Sequence, residues 1–284
     1  MGYQVCIDIG GTFTDGLVSN DAGEIAIFKS PSTPGEFEKG FINVLHVAAE
    51  GYGLDPADFM KQIDLIVHGS TVSTNALVER KTVKVGVILT EGHQDVLVLR
   101  EGPRKGAFQW RLDYPDPYVP RHLTKTVGGR IDARGRELKP LSVEDARKAA
   151  ASFRELGVEA VAVGLLWSVV NPAHEIAVRE ILEKELPGIP ITLSHEINPM
   201  PREYKRIIAA CIDASINPIV RTYIERLKAA LDEQDFGGEL LLANCVGGMM
   251  PVADMIRKPI YSVMSGPTLA PMAALALSDE PDII

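Results

Sequence analysis

Two stretches of the chain concentrate residue types that handle phosphate and polar oxygen. The first is Asp8-Ile-Gly-Gly-Thr-Phe-Thr-Asp15, set between two apolar runs. Gly10 and Gly11 let backbone come close to a ligand, and successive turn amides make an anion-binding concavity. Thr12 and Thr14 add hydroxyl donors, and Asp8 and Asp15 could hold Mg²⁺ directly or through water, since that cation takes oxygen ligands. A plain hairpin with Gly-Gly at its turn is the competing reading, and on residue types alone both stay open. Other phosphate loops are excluded. No lysine follows a glycine at Walker spacing, and Gly10-Gly11 lie between two strands rather than between a strand and a helix.

The second stretch is His68-Gly-Ser-Thr-Val-Ser-Thr-Asn75, which follows a short apolar strand pattern. Its imidazole, hydroxyls and amide could hold a polar substrate or orient a water, at the strand end where α/β folds place binding loops. The alternative is a helix N-cap, which needs only one such residue. A serine nucleophile is not supported, because no G-x-S-x-G occurs. Arg100, Arg104, Arg111 and Arg121 lie in or beside a proline- and aromatic-rich stretch. They could clamp a carboxylate or phosphate, or be solvated and paired with local acids. Glu203, Tyr204 and Arg206 could face a cleft, but a helix-surface ion pair accounts for them as well. His174-Glu175 and His195-Glu196 begin like a zinc motif, but Val178 and Pro199 stand where its second histidine belongs.

The elements that must carry these residues follow from periodicity. Residues 3 to 9, 14 to 19 and 24 to 29 predict an antiparallel meander joined by tight Gly/Asn/Asp turns. A helix follows from Phe37, Phe41, Val44, Leu45 and Ala48, and a strand from Ile63 to Val67. Further on, strands at 83–90, 158–166 and 189–193 alternate with helices, one capped by Ser142 and one opened by Asn171-Pro172. That alternation predicts a mostly parallel sheet covered by helices. Residues 101 to 122 read as a surface loop or arm. A long helix begins after Pro201 and should kink or split at Pro218. Strands are expected at 240–243 and 260–264, with a short helix between them.

Composition narrows the function classes. The 284 residues carry a formal net charge of −9, which argues against a partner bound by phosphate neutralisation, so no nucleic acid. No window approaches the apolar length of a membrane span, and the start does not read as a signal peptide. Cys6, Cys211 and Cys245 read as buried, reduced thiols of a cytoplasmic protein.

Together the motifs resemble a known family. Asp8 to Asp15 looks like the first phosphate motif of the actin/Hsp70/sugar-kinase superfamily. His68-Gly-Ser-Thr-Val-Ser-Thr-Asn-Ala-Leu-Val-Glu-Arg-Lys81 resembles the H-G-T-T-V-A-T-N-A-L-L-E-R-K stretch of the hydantoinase/5-oxoprolinase A family. Tyr118-Val-Pro-Arg121, Gly129 to Gly135, Arg202 to Arg206, Gly247-Gly248 and Ser265-Gly-Pro267 lie in that family's order.

The resemblance implies an α/β, ribonuclease H-like lobe of the actin type, with a mixed sheet flanked by helices. It implies ATP and Mg²⁺, or Mn²⁺, as cofactors and a B-type subunit as partner. The implied chemistry is phosphorylation of a carbonyl or amide oxygen, leading either to ketone carboxylation or to hydrolysis of a cyclic amide. By match, Asp8, Gly10, Gly11, Thr12, Thr14 and Asp15 would form the nucleotide–metal site, and His68, Ser70, Thr71 and Asn75 would line the cleft where the chemistry occurs. Ser70, Ser73, Gly129 and Thr268 depart from the usual family residues, and the arm at 101–122 leans toward the ketone carboxylases. A small-metabolite kinase and a non-catalytic assembly subunit are the rival readings.

The resemblance also divides the chain at 196/197, into an N-terminal domain with the first hairpin and the beginning of a second domain. The superfamily's second D-x-G-G-T hairpin does not occur before Ile284. The expectation is therefore a lobe truncated before its counterpart, binding ATP only weakly by itself.

Overall fold

The computed structural model describes residues 2–101, 115–269 and 271. They form two compact units, one built from residues up to Lys81 and from Ile219 onward, the other from Thr82–Pro218. This division is discontinuous along the chain, whereas the one read from sequence at 196/197 is contiguous.

The first unit begins with β1 (Tyr3–Ile9), β2 (Phe13–Asn20) and β3 (Ile25–Pro31). They form the expected meander, with Asp8 directly opposite Asp15 across β1 and β2. In β1, inward residues alternate with outward ones in strict period two, so Val5, Ile7 and Ile9 are buried. Helix α1 (Phe37–Gly51) covers that inner face with Phe41, Val44, Leu45 and Ala48. Full burial of each large apolar side chain contributes roughly 1.5–3 kcal/mol. The packing is tight enough that a Cβ on Gly16 of β2 would sit 3.0 Å from Val44 Cγ2. Short α2 (Pro56–Met60) leads to β4 (Ile63–Ser70), which pairs parallel to β1, and then to α3 (Val72–Val78).

The second unit holds β5 (Val85–Thr90), α4 (Val96–Leu99), β6 (Thr124–Val127), the ribbon β7 (Arg130–Ile131) and β8 (Glu137–Lys139), and α5 (Val143–Glu155). It continues with β9 (Ala160–Gly164), α6 (Ala173–Glu185), β10 (Ile191–Leu193) and α7 (Ser194–Ile197). The sheet order is β10-β9-β5-β6, and every pair in it is parallel. Each side chain of β5 and β9 is buried, which is why those segments read as unbroken apolar runs. Ser142 caps α5 by accepting from Asp145 N at 3.2 Å, as its sequence predicts. The stretch at residues 102–114, with Arg104 and Arg111, lies outside the described residues.

Helix α8 (Glu203–Asp232) continues unbroken through Pro218, where a kink or split was expected. Proline removes one i→i−4 hydrogen bond. Buried Ile207, Cys211 and Ala214 before it, and Val220, Ile224 and Leu227 after it, hold each half in its own unit. By length and apolarity α8 passes as a membrane-crossing helix, but 61% of its most apolar window is buried inside the protein.

The chain then returns to the first unit as β11 (Glu239–Ala243), β12 (Met249–Pro251) and α9 (Val252–Arg257). The six-stranded mixed sheet has the order β12-β11-β4-β1-β2-β3. Residues 260–264 are not the strand their apolar run suggested. Pro259–Ser262 form a 3₁₀ turn, and helix resumes over residues 265–269. Cys211 is fully buried, but Cys6 is exposed on the outer face of β1 and Cys245 is half-buried, so the expected burial of all three thiols fails.

Candidate functional site

The three parallel strands β1, β4 and β11 end at one edge of the mixed sheet, and the phosphate-type loops leave from there. Carboxyl edges of this kind are where α/β sheets place ligands. The β1–β2 turn is closed by Gly10 N donating to Phe13 O at 3.0 Å. A Cβ on Gly11 would meet nothing within 4 Å, so no contact inside the protein requires glycine there. Gly11→Ala is therefore expected to change stability by less than about 1 kcal/mol, while a ligand seated on the turn would feel the added methyl. Paired melting and nucleotide-binding measurements check this.

Asp8 and Asp15 face outward from directly paired positions, and Gly69 of β4 stands on the other side of Asp8. A side chain at Gly69 would sit 3.0 Å from Asp8 Oδ1, so the glycine makes room for that carboxylate. Lys29 on β3 neutralises Asp15 at 3.1 Å. Among the described residues Asp8 has no such partner. Burial first, and the charge of Asp15 second, push its carboxyl above the usual range. Two uncompensated oxygens beside a glycine turn fit Mg²⁺, which binds through one or two carboxylates and completes its shell with water and phosphate oxygens. Among the described residues no cluster of three or more His, Cys, Asp or Glu could hold a metal by itself.

Thr12 is exposed, but Thr14 is completely buried. Ser32 Oγ donates to Gly10 O at 2.8 Å. Its only hydrogen is thereby committed, so Thr14 must be the donor in their 3.1 Å contact. Thr14 thus braces the turn from beneath, while Thr12 lies on the exposed side.

His68 is also a core residue. Its ring is buried between Nδ1, 3.1 Å from Ile7 O, and Nε2, 2.6 Å from Tyr223 Oη. A carbonyl only accepts, so Nδ1 carries the proton and Nε2 accepts from the tyrosine. Burial lowers the imidazole pKa to about 4 and raises that of the phenol. The space bounded by His68, Ser70, Ser73 and Tyr223 is about 10 Å³, room for one water at most.

A base depressed from 6.5 to about 4 leaves its stabilisation intact above pH 6.5 and loses it as pH falls toward 4. The loss is on the order of 3 kcal/mol. Urea titrations across that window should show it, and His68→Gln should flatten the slope.

Thr71 Oγ1 donates to Ile9 O at 3.3 Å, which ties the second loop to the end of β1. Ser70 Oγ accepts from Val72 N at 3.3 Å, and exposed Asn75 donates to Thr71 Oγ1 at 3.3 Å. Thr71 occupies the N-cap position of α3 without making the capping bond. The structure therefore brings the hairpin and Ser70, Thr71 and Asn75 to one edge, with His68 and Thr14 packed behind it.

Sequence reasoning gave no role to Asn244. Its side chain accepts from Val246 N and Gly248 N, both at 3.0 Å, and so shapes a third loop at the same edge. Thr268 Oγ1 reaches Asn244 O at 3.1 Å, and Met264 N donates to Thr74 Oγ1 at 2.9 Å. Gly247, at φ 81°, was the visible signal for that turn.

In the second unit, Glu203 and Arg206 do pair across one helical turn, at 3.9 Å, but the arginine lies in the core rather than on the helix surface. Arg206 is fully buried and donates to Leu165 O at 2.7 Å and Ser194 Oγ at 3.0 Å. Buried Glu175 accepts from Leu165 N at 2.8 Å, Ser194 Oγ at 2.6 Å and His195 Nδ1 at 2.6 Å.

Comparison with known proteins agrees with this architecture. Residues 4–186 match the sequence profile of the hydantoinase/oxoprolinase N-terminal region, and residues 206–283 match that of hydantoinase/oxoprolinase. The chain is 36% identical over 278 residues to caprolactamase subunit alpha of Pseudomonas jessenii, covering 97% of this chain and 40% of the relative. It is 32% identical to the acetophenone carboxylase gamma subunit of Aromatoleum aromaticum, covering 94% of this chain and 38% of the relative. The crystal structure of the ATP-dependent caprolactamase superposes with a TM-score of 0.86 at 36% identity, over 96% of this chain and 40% of that one. Nucleotide-free acetone carboxylase superposes with a TM-score of 0.84 at 26% identity, with the same coverage. The chain thus spans about 40% of the length of these relatives, and it belongs to the hydantoinase/oxoprolinase family.

Proposed function

We propose that this region forms one wall of an ATP site in an enzyme that phosphorylates the oxygen of a ketone or a cyclic amide. The observation that carries the reading is the Asp8/Asp15 pair beside the open Gly10-Gly11 turn. Membership of a family whose relatives include an ATP-dependent caprolactamase and an acetophenone carboxylase subunit supports it.

In this reading the turn amides and Thr12 hold phosphate oxygens. Asp8 and Asp15 would hold Mg²⁺, which would neutralise charge on the phosphoryl group. Ser70, Thr71 and Asn75 line the same edge and orient the acceptor, while His68 and Thr14 keep the two loops in register from the core. Phosphorylation turns a carbonyl oxygen into a leaving group, which is the shared requirement of carboxylating a ketone and opening a lactam. The relatives named as subunits make a partner chain of the B type part of the proposal.

The test is whether the enzyme that carries this region forms ADP in response to an acceptor. ADP formation should rise when acetophenone or a lactam is added, without accumulation of a stable phosphorylated alcohol. Acceptor-independent ADP formation would overturn the reading, and a stable phosphate ester would replace it with the kinase.

A further inference from the structure

We propose that β3 is a pairing edge for a second copy of this chain, joined antiparallel about a two-fold axis at Ile27. β3 is the terminal strand of the six-stranded sheet and is paired on one side only. The bonds from Asn20 N to Glu24 O at 3.2 Å and from Ser32 N to Thr12 O at 2.9 Å fix which groups its ladder uses. Counted in steps of two between them, Ala26, Phe28 and Ser30 bond to β2, whereas Ile25, Ile27 and Lys29 turn their N–H and C=O outward. No hydrogen bond among the described residues takes up those outward groups. The side chains of the same three residues stand on the sheet face opposite α1, where Ile25 is 67% and Ile27 75% exposed.

Free edges invite unwanted pairing, and folded proteins guard them with bulges, charges or prolines. β3 lacks such a guard where its edge is open. Its register with β2 is continuous, Lys29 leans back onto Asp15 of β2 at 3.1 Å, and proline comes only at the last position. An open apolar edge of this kind is the surface that strand addition uses.

Self-complementarity selects a second copy as the occupant. Antiparallel pairing about Ile27 sets Ile27 opposite its counterpart and Ile25 opposite Lys29, so every outward residue of one copy meets an outward residue of the other. It also extends an apolar row already present. Cys6, Leu17 and Ile27 lie in register across β1, β2 and β3, and the axis carries that row into the same row of the second copy. The ends of the strand match in charge as well. Asp21 and Glu24 precede β3 and Lys29 lies near its close. An antiparallel copy brings each acidic end toward a basic one, while a parallel copy would set the acids side by side. The pairing is independent of nucleotide and acceptor.

Sedimentation equilibrium on the intact protein that carries this region tests the edge, and should show a reversible dimer below about 100 μM. Ile27→Lys should melt with the parent, because the side chain is largely exposed, yet weaken dimerisation at least about tenfold. Ile27→Cys should cross-link copy to copy on mild oxidation, since residues facing each other at the axis lie within disulfide reach. Ile25→Cys, offset from its own counterpart by about 13 Å along the strands, should not, and neither should the parent. A monomer throughout that range, a dimer that Ile27→Lys leaves intact, or cross-linking of Ile25→Cys as readily as of Ile27→Cys would overturn the proposal. So would an Ile27→Cys thiol that a maleimide cannot reach in the monomer, which would show β3 covered by another part of the same protein.

Discussion

Asp8→Asn is expected to lower acceptor-dependent ATP turnover by roughly 10²-fold or more in the enzyme that carries this region, while raising its melting temperature slightly. The two effects share one cause. Asp8 sits opposite Asp15 and beside Gly69, with no cation of its own among the described residues, and its carboxyl is held above the usual range by burial and then by Asp15. A carboxyl raised in the folded state stabilises fully below the unfolded value of 3.8 and loses that contribution as pH rises through the folded value. At neutral pH the ionised group is therefore a cost, relieved by the neutral amide. Asp8 lies on an exposed face with its carboxylate only partly covered, so water screens the effect and the gain should be roughly 1–2 °C. Differential scanning fluorimetry without nucleotide and turnover with it measure the two arms. Unchanged turnover, or a clear fall in melting temperature, would remove Asp8 from the role assigned to it.

The second large effect concerns the core of the second unit. Arg206→Met should cost about 3–5 kcal/mol, because it leaves Leu165 O without its buried donor and removes the cation whose charge offsets buried Glu175. Glu175 ties Leu165, at the end of β9, to Ser194 and His195 of α7, while Arg206 closes the circle from α8. Desolvation lowers the guanidinium pKa, and the negative charge of Glu175 is the largest effect opposing it. Combining Arg206→Met with Glu175→Gln should recover part of the loss, since replacing both charges avoids an unpaired one. Urea unfolding of the single and double variants provides the measurement. A cost under about 1 kcal/mol for the single variant would show the pair to be dispensable.

Much of this protein is legible along the chain. The meander, the capped helix at Ser142 and the fully apolar strands of the parallel sheet follow from period and turn chemistry, which act over a few residues. The hairpin's acidic pair was legible too, because two positions equidistant from a tight turn must face each other. The apolar run at 260–264 misled because proline at 259 and the neighbouring 3₁₀ turn outweigh its β propensity.

What sequence by itself determined is the set of groups, their order and their local geometry. A glycine turn flanked by two aspartates and a hydroxyl-rich loop after a strand are properties of neighbouring residues. Which of those groups face solvent was decided by tertiary structure alone. Thr12 and Thr14 are indistinguishable in type, yet α1 and Ser32 bury one and leave the other open. His68 looked like a site residue until Tyr223, 155 positions away, closed over it. Arg206 looked like a surface charge until Leu165 and Ser194 surrounded it. Burial depends on which distant segment packs against a face, and no local pattern of residue types encodes that partner.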